Sequence, residues 1–518
     1  MNIIYIKDIK DYKNFLDVED ETYLFTKDLT HRGIFVLDEM LKTNDKIYIG
    51  KMARHVENNW FNYYISGKEA PEIDEYQWKN VKFRSYEGLL GDKEYTEEQI
   101  VAALAYIYIN FPGIYGSFPK SPSSIVEKAI NVTKYMTCFD KEVVQFSHDA
   151  FQPGAVHILP QNINKVMKYE THLDIHQAYA HIMKTRMFPI SNPVYVDLWD
   201  TENPDYENKK NDLLNNLGIY HIIDGVIRLK PNGFPLLQQN KKQKSASLSK
   251  WTKETMLFAD YDKTYRIADL YGGLYLTTPA YQVLLENYDI IEPLDIAEGY
   301  AWTGIKKGLG IAFINKLYEL RKTTDNPALK NFAKLCNEYC AGMFQRKFVI
   351  SENPWIDLDG NKQDKKIKRR PLNCVIGDFI TDYLRLEISH LLQKIPHDWV
   401  IGYDTDGIFL NQEKDTIYNY LEQNNSLDIL GDETGKCHFD GIYKNVIHLA
   451  SKQYYGYTID GEVFGKLAGV NDGAEVAKKL LSGVPEEEIT TVSYVWNKEI
   501  KDYELTASKA KIGGHDND

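Results

Sequence analysis

Three observations predict an α+β fold for this chain. Helical and hairpin patterns alternate along it without the regular strand–helix–strand spacing of a parallel α/β protein. No internal repeat recurs at a period of about 20–50 residues, which excludes a solenoid. The composition, 43% hydrophobic and 26% charged over 518 residues, is that of a folded chain with length for about three domains.

The elements follow in order. Residues 1–145 mix short apolar runs with acids and aromatics. Within them EEQIVAALAYIYIN, Glu97–Asn110, reads as a helix stopped by Phe111-Pro112-Gly113. Two polar stretches, 201–215 (TENPDYENKKNDLLN) and 236–250 (LLQQNKKQKSASLSK), read as surface loops or insertions. Residues 314–344 read as helix with a break at Asn326-Pro327, and 352–371 as an exposed, strongly basic excursion. From Ile376 to Gln393, apolar residues at 376, 380, 384, 388 and 391 predict an amphipathic helix. Trp399–Tyr403 and Gly407–Leu410 then read as two β runs around a tight acidic turn.

Lys and Arg number 61 against 74 Asp and Glu, a net charge of −13. That argues against a protein gripping nucleic acid over its whole surface. The charge is uneven, however, with cations gathered at 321–334, 362–370 and 452. Five cysteines form no CxxC pair, so a zinc site or disulfide framework is not expected and a reducing compartment is. The N-terminal MNIIYIKDIKDYKNF lacks a continuous apolar segment, and no run reaches the roughly 18–20 apolar residues of a membrane span. A soluble, cytoplasmic protein is predicted.

The chemistry concentrates in Val400-Ile401-Gly402-Tyr403-Asp404-Thr405-Asp406-Gly407-Ile408-Phe409-Leu410. Two carboxylates two residues apart would share a face if both lay on a strand, and like charges so close repel unless a cation sits between them. An aspartic protease would need Gly after Asp-Thr, and an EF-hand would need Gly at its sixth position and Glu at its twelfth. A solvated acidic turn is the plain alternative. A third acid upstream, in Leu173-Asp174-Ile175-His176-Gln177-Ala178-Tyr179, ends an apolar strand and is followed five residues later by an aromatic. Between the two sites lies a basic helical stretch with Arg321, Lys322, Lys330 and Lys334, the last two on one helix face. Carboxylates for Mg²⁺ and cations for a triphosphate are the parts that nucleotidyl transfer requires.

On these segments, from about 145 to 470, the chain resembles family B DNA polymerases, specifically the protein-primed type of small linear-genome phages. LDIHQAYAHIM is similar to the family's first palm motif, strand–Asp–x–x–Ser–Leu–Tyr–Pro, with departures at Gln177, Ala178 and Ala180. The resemblance makes Asp174 a metal ligand and Tyr179 the aromatic that excludes a 2′-OH. GYDTDG is similar to the third motif, with Gly402 for Tyr and Gly407 for Ser, and makes Asp404 and Asp406 the other catalytic acids. The fingers motif, Lys–x₃–Asn–Ser–x–Tyr–Gly, is kept at Lys334 and Gly342 but carries Glu338, Tyr339 and Ala341. The Tyr that packs on the nascent base pair is thus missing. Lys322 and Lys330 join Lys334 as nucleotide-binding positions. Lys452 and Tyr454 resemble the subgroup's Lys–x–Tyr primer grip, and Ala150-Phe151-Gln152-Pro153-Gly154 its Tyr–x–Gly–Gly linker, which makes Gly154 a DNA contact. The six cations of the second insertion, Lys362, Lys365, Lys366, Lys368, Arg369 and Arg370, read either as phosphate contacts, with Lys366 and Arg369 the candidates for DNA, or as a plain solvated loop.

The resemblance implies a palm–fingers–thumb fold. It divides the chain into a reduced N-terminal domain (1–145), first palm part (146–230), an insertion that would hold a priming protein (231–310), fingers (311–347), a short second insertion (348–372), palm with the acidic hairpin (373–450), and primer grip and thumb (451–518). The N-terminal third lacks recognisable exonuclease motifs. Asp17-Val18-Glu19 runs straight into Asp20 and Glu21 and reads as a solvated loop. The implied protein is a monomeric DNA-directed DNA polymerase using two Mg²⁺, with Mn²⁺ able to replace them. Its implied partners are primer-template DNA, dNTPs and a terminal priming protein, with no membrane and no proofreading. Two alternatives are an untemplated or protein-priming nucleotidyltransferase and an inactive DNA-binding relative.

Overall fold

The computed structural model describes residues 2–5, 20, 22–26, 75–78, 81–91, 93–112, 118–119, 121–130, 141–237, 257–259, 264–270, 273–345, 347–351, 367–371, 374–470, 472–497 and 502–509. Asp17-Val18-Glu19, residues 238–250, Lys362, Lys365, Lys366 and Cys138 lie outside them. The described residues divide into two compact units, one drawn from 1–134, 310–372 and 496–502, the other from 135–309, 373–495 and 503–518.

In the first unit, Asn2–Tyr5, Thr22–Thr26 and Val81–Ser85 run parallel, and Glu75–Trp78 closes the sheet antiparallel. The helix Glu97–Asn110 forms where it was predicted. Thr96 and Gln99 exchange side-chain and backbone hydrogen bonds across its start, a capping box. The break at Asn326-Pro327 separates the helices Ile311–Thr323 and Pro327–Gln345. Phe111 meets Phe313 and Phe332 edge-on, Lys316 donates to the Asn110 carbonyl, and Asn326 to that of Gln99. These contacts join both helices to Glu97–Asn110. The basic excursion is framed by the antiparallel strands Lys347–Ser351 and Ile367–Pro371, with Arg369 opposite Val349.

The second unit is built on a seven-stranded antiparallel sheet. Its strands are β1 (Val156–Ile158), β2 (Val166–Ile175), β3 (Val400–Asp404), β4 (Gly407–Leu410), β5 (Cys437–Ala450), β6 (Gln453–Thr458) and β7 (Val463–Leu467). They lie in the order β7-β6-β5-β2-β4-β3-β1. The strand that carries Asp174, β2, is therefore central, with the acidic hairpin against one edge and β5 against the other. A second antiparallel sheet pairs Leu217–Leu229 with Tyr288–Trp302, which pairs in turn with Val194–Asp197. The α+β class and the hairpin stand as predicted.

Two expectations change. The polar stretch 201–215 is helical from Tyr206 to Asn215, because one buried side chain, Leu213, suffices to seat a charged helix. The helix Cys374–Gln393 is not amphipathic but buried almost all round. Its polar residues face partners instead of water. Asp378 accepts from Ser147, Asp382 from Thr277, and Arg385 donates to the carbonyls of Leu236 and Pro153. Buried polar groups must be paired, so periodicity alone misreads such a helix.

Candidate active site

Asp174 is the penultimate residue of β2 and lies between Gly407 of β4 and His438 of β5 in register. A Cβ at Gly407 would come within 3.0 Å of the Asp174 carboxylate, so glycine clears room for that acid. A side chain at Gly402 would strike the His157 carbonyl on β1, which explains the missing Tyr of the motif.

The hairpin turn is two residues long. Asp404 ends β3, and Thr405 takes a left-handed φ of 58°. The Asp406 amide donates back to the Asp404 carbonyl at 2.7 Å. Strand alternation therefore does not govern the two acids as expected, since Asp406 sits in the turn itself. The Thr405 amide donates to Ala155 at 2.7 Å and its hydroxyl to the Asp404 carboxylate at 3.0 Å. A Cβ at Gly154 would come within 2.9 Å of the Thr405 side chain. Gly154, itself part-exposed, thus packs closely against the acidic turn.

The acids act on one another. Burial, then Asp406, Asp440 and Asp404, push the Asp174 carboxyl up to about 7. Burial and then Asp404 push Asp406 up to about 6. The Lys452 ammonium lies 3.2 Å from Asp404. At the end of β2, Gln177 takes a left-handed φ of 51° that turns the chain into the helix Ala178–Thr185. Tyr179 in its first turn has its phenol raised to about 12 by burial, then by Asp406 and, with Arg385 acting the other way, Asp404. It therefore lies close to the acidic pair.

Among the described residues, no three Asp, Glu, His or Cys side chains converge into a closed metal cage. An open set of hard carboxylate oxygens, mutually repelling, still suits Mg²⁺, which binds through one or two carboxylates, water and substrate phosphates. The Lys452 ammonium already occupies Asp404 as a cation would.

Tyr454 is only 4% exposed, stacked on His448 at 4.9 Å and packed with Phe409 and Phe464. It belongs to the core beneath the site, whereas Lys452 is half-exposed. In the first unit, Lys330 and Lys334 share the exposed face of the helix Pro327–Gln345, and Lys322 is exposed on the preceding helix. Glu338 lies 3.7 Å from Lys334. Ala341 is 4% exposed, in packing that a tyrosine ring would have to displace. Lys366 lies outside the described residues, and Arg369 is placed by its strand alone.

The whole chain was compared with solved structures. It matches Phi29 DNA polymerase complexed with primer-template DNA and incoming nucleotide substrates at a TM-score of 0.65 and 16% identity, over 97% of this chain and 93% of that one. The post-translocation binary complex of Phi29 DNA polymerase with primer-template DNA gives 0.62, and its complex with single-stranded DNA 0.61. The chain has a fold of the Phi29 DNA polymerase type. No protein-family model and no curated protein matches its sequence.

Within this Phi29-like fold, sequence reasoning missed Asp440, whose charge reaches Asp174 and Asp406 from β5. It also missed Glu170 and its two histidine partners, four residues before Asp174. Neither carries a motif. The available signal in VMKYETHLDI was a Glu and a His two residues apart, Glu170 and His172, which share a strand face.

Proposed function

We propose that this chain is a DNA-directed DNA polymerase that extends a primer on a template from dNTPs. The single observation that carries the reading is the convergence of Asp174, Asp404 and Asp406 with Tyr179 at the centre of the antiparallel sheet, within a fold of the Phi29 polymerase type. Asp174 and Asp406, with Asp404 beside them, would hold two Mg²⁺. Bound there, Mg²⁺ would lower the cost of charge on the attacking and leaving oxygens.

The remaining roles fall to the chain's own groups. Lys452 would exchange Asp404 for a phosphate near the primer terminus, and Gly154 and Tyr454 would hold the turn and the Lys452 loop in place. Tyr179 would close the sugar side of the nucleotide site against a 2′-OH. Lys334, with Lys322 and Lys330, would take the triphosphate, and Lys366 and Arg369 would meet DNA phosphates. The protein would act as a monomer. Residues 311–347 would serve as fingers and 146–230 with 373–450 as palm. Residues 231–310 would meet a priming protein, and 1–145 would lack proofreading activity.

A second reading is an untemplated or protein-priming nucleotidyltransferase. It is favoured by the buried Ala341 where an aromatic would check the base pair, and by Glu338 beside Lys334. Primer extension with each dNTP alone, on matched and 3′-mismatched primers, separates the two. Template-directed incorporation supports the first reading, and template-blind product the second. Asp406→Asn should abolish extension while duplex binding survives; retained extension would overturn both. A wild-type chain that binds DNA but never extends it would be the inactive relative.

A further inference from the structure

The second unit carries a buried carboxylate–imidazole bridge that the proposed chemistry does not use. Glu170 is 0% exposed, and each of its carboxylate oxygens takes one imidazole, His172 Nε2 at 2.6 Å and His448 Nε2 at 2.8 Å. Both histidines are buried. Enclosing three ionisable groups is costly unless their polar atoms are paired. A mere core position would be filled more simply by an apolar residue of similar volume.

What the bridge touches is specific. His172 lies two residues before Asp174 on β2 and faces Phe409 across the sheet at 4.3 Å. Phe409 lies two residues after Gly407, at the foot of the acidic hairpin. His448 stacks on Tyr454, 4.9 Å between centroids and 24° between planes, and Tyr454 lies two residues after Lys452. Residues two apart on a strand share a face. His172 and Phe409 therefore form a layer directly beneath Asp174 and Gly407, and Tyr454 joins that layer from β6. Glu170 ties the layer together across β2 and β5. Lys452 is held in a left-handed conformation, φ 61°, and its carbonyl accepts from Ala468. Its direction thus depends on how the strand after it is seated.

We infer that Glu170 is a positioning residue: through His172 and His448 it sets the Lys452 loop against the Asp174–Asp404–Asp406 group, and so the seat of the primer terminus. This rests on the polymerase reading above and on Lys452 as a primer contact. Glu170→Gln keeps the shape and removes the charge that holds both imidazoles. In steady-state primer extension normalised to active sites, it should raise the primer-template KM about tenfold and leave the dNTP KM unchanged. Coupling is the readout that separates positioning from plain support. In a Lys452→Ala background the same substitution should add little further loss, because residues acting through one another are non-additive. If Glu170→Gln fails to fold, His448→Gln, which keeps a donor for Glu170 but loses the ring over Tyr454, runs the same cycle and should give the same pattern. Fully additive losses, or a loss spread equally over both KM values, overturn the inference. Should Lys452→Ala raise the primer-template KM while Glu170→Gln does not, the inference falls and the primer-grip reading stands. Should Lys452→Ala leave that KM unchanged, both fall.

Discussion

The Lys452 ammonium sits 3.2 Å from the Asp404 carboxylate, across the gap between β3 and the β5–β6 turn. One residue thus neutralises the site while another, Asp404, restrains the side chain proposed for the primer. The pair is partly exposed, so it is worth about 0.2–1 kcal/mol. Lys452→Ala should free Asp404 and tighten Mn²⁺ binding by up to about fivefold, as read by electron paramagnetic resonance without DNA. Unchanged Mn²⁺ affinity would mean that lysine and metal do not share this carboxylate.

The acid group also makes stability depend on pH. Asp174 and Asp406 are raised from 3.8 to about 7 and about 6 by burial and by neighbouring carboxylates. Between about pH 4 and pH 7 the folded protein holds protons that the unfolded chain has released. Stability is therefore lost as pH rises through that window. Without divalent ions, the melting temperature gain from Asp174→Asn should be larger at pH 8 than at pH 5. Mg²⁺ must displace the same protons, so its own stabilising effect should be present at pH 8 and nearly absent at pH 5. A Mg²⁺ effect equal at both pH values would contradict this.

Much of this was legible in the sequence for a plain reason. The hairpin, the two helices split at Asn326-Pro327 and the capped helix at Glu97 are local patterns written in neighbouring residues. The helix Cys374–Gln393 was misread because its polar partners, Ser147, Thr277 and Pro153, lie more than a hundred residues away in the chain. The orientation of Asp404 and Asp406 was missed because one left-handed residue, Thr405, replaces strand alternation with turn geometry. Tyr454 carried the right motif, yet ring packing from three other strands decided its burial.

The glycines around the turn are contact requirements and can be tested as such. Gly402→Ala would drive a methyl into the His157 carbonyl, a backbone atom that can yield only if β1 moves. The expected cost is about 1–3 kcal/mol, measured by urea unfolding. Gly154→Ala meets the Thr405 side chain instead, at 2.9 Å. It should lower kcat about a hundredfold by shifting Asp404 and Asp406, with a smaller change in stability. The reverse ranking of the two variants would refute this assignment.

Arg385 supplies the strongest test of the buried helix. It is 1% exposed, pairs with Asp382 at 3.4 Å and donates to the carbonyls of Pro153 and Leu236. Pro153 precedes Gly154, so the guanidinium anchors the segment on which Thr405 rests. Arg385→Met fills similar volume but leaves Asp382 as an uncompensated buried charge and strips two carbonyls of their donor. Breaking such a pair costs about 3–5 kcal/mol, which urea unfolding would register as a large drop in midpoint. Adding Asp382→Asn removes the stranded charge and should recover part of that stability. It should not recover turnover, because the carbonyl of Pro153 still lacks its anchor. Full recovery of both would mean that Arg385 serves Asp382 alone and leaves the acidic turn untouched.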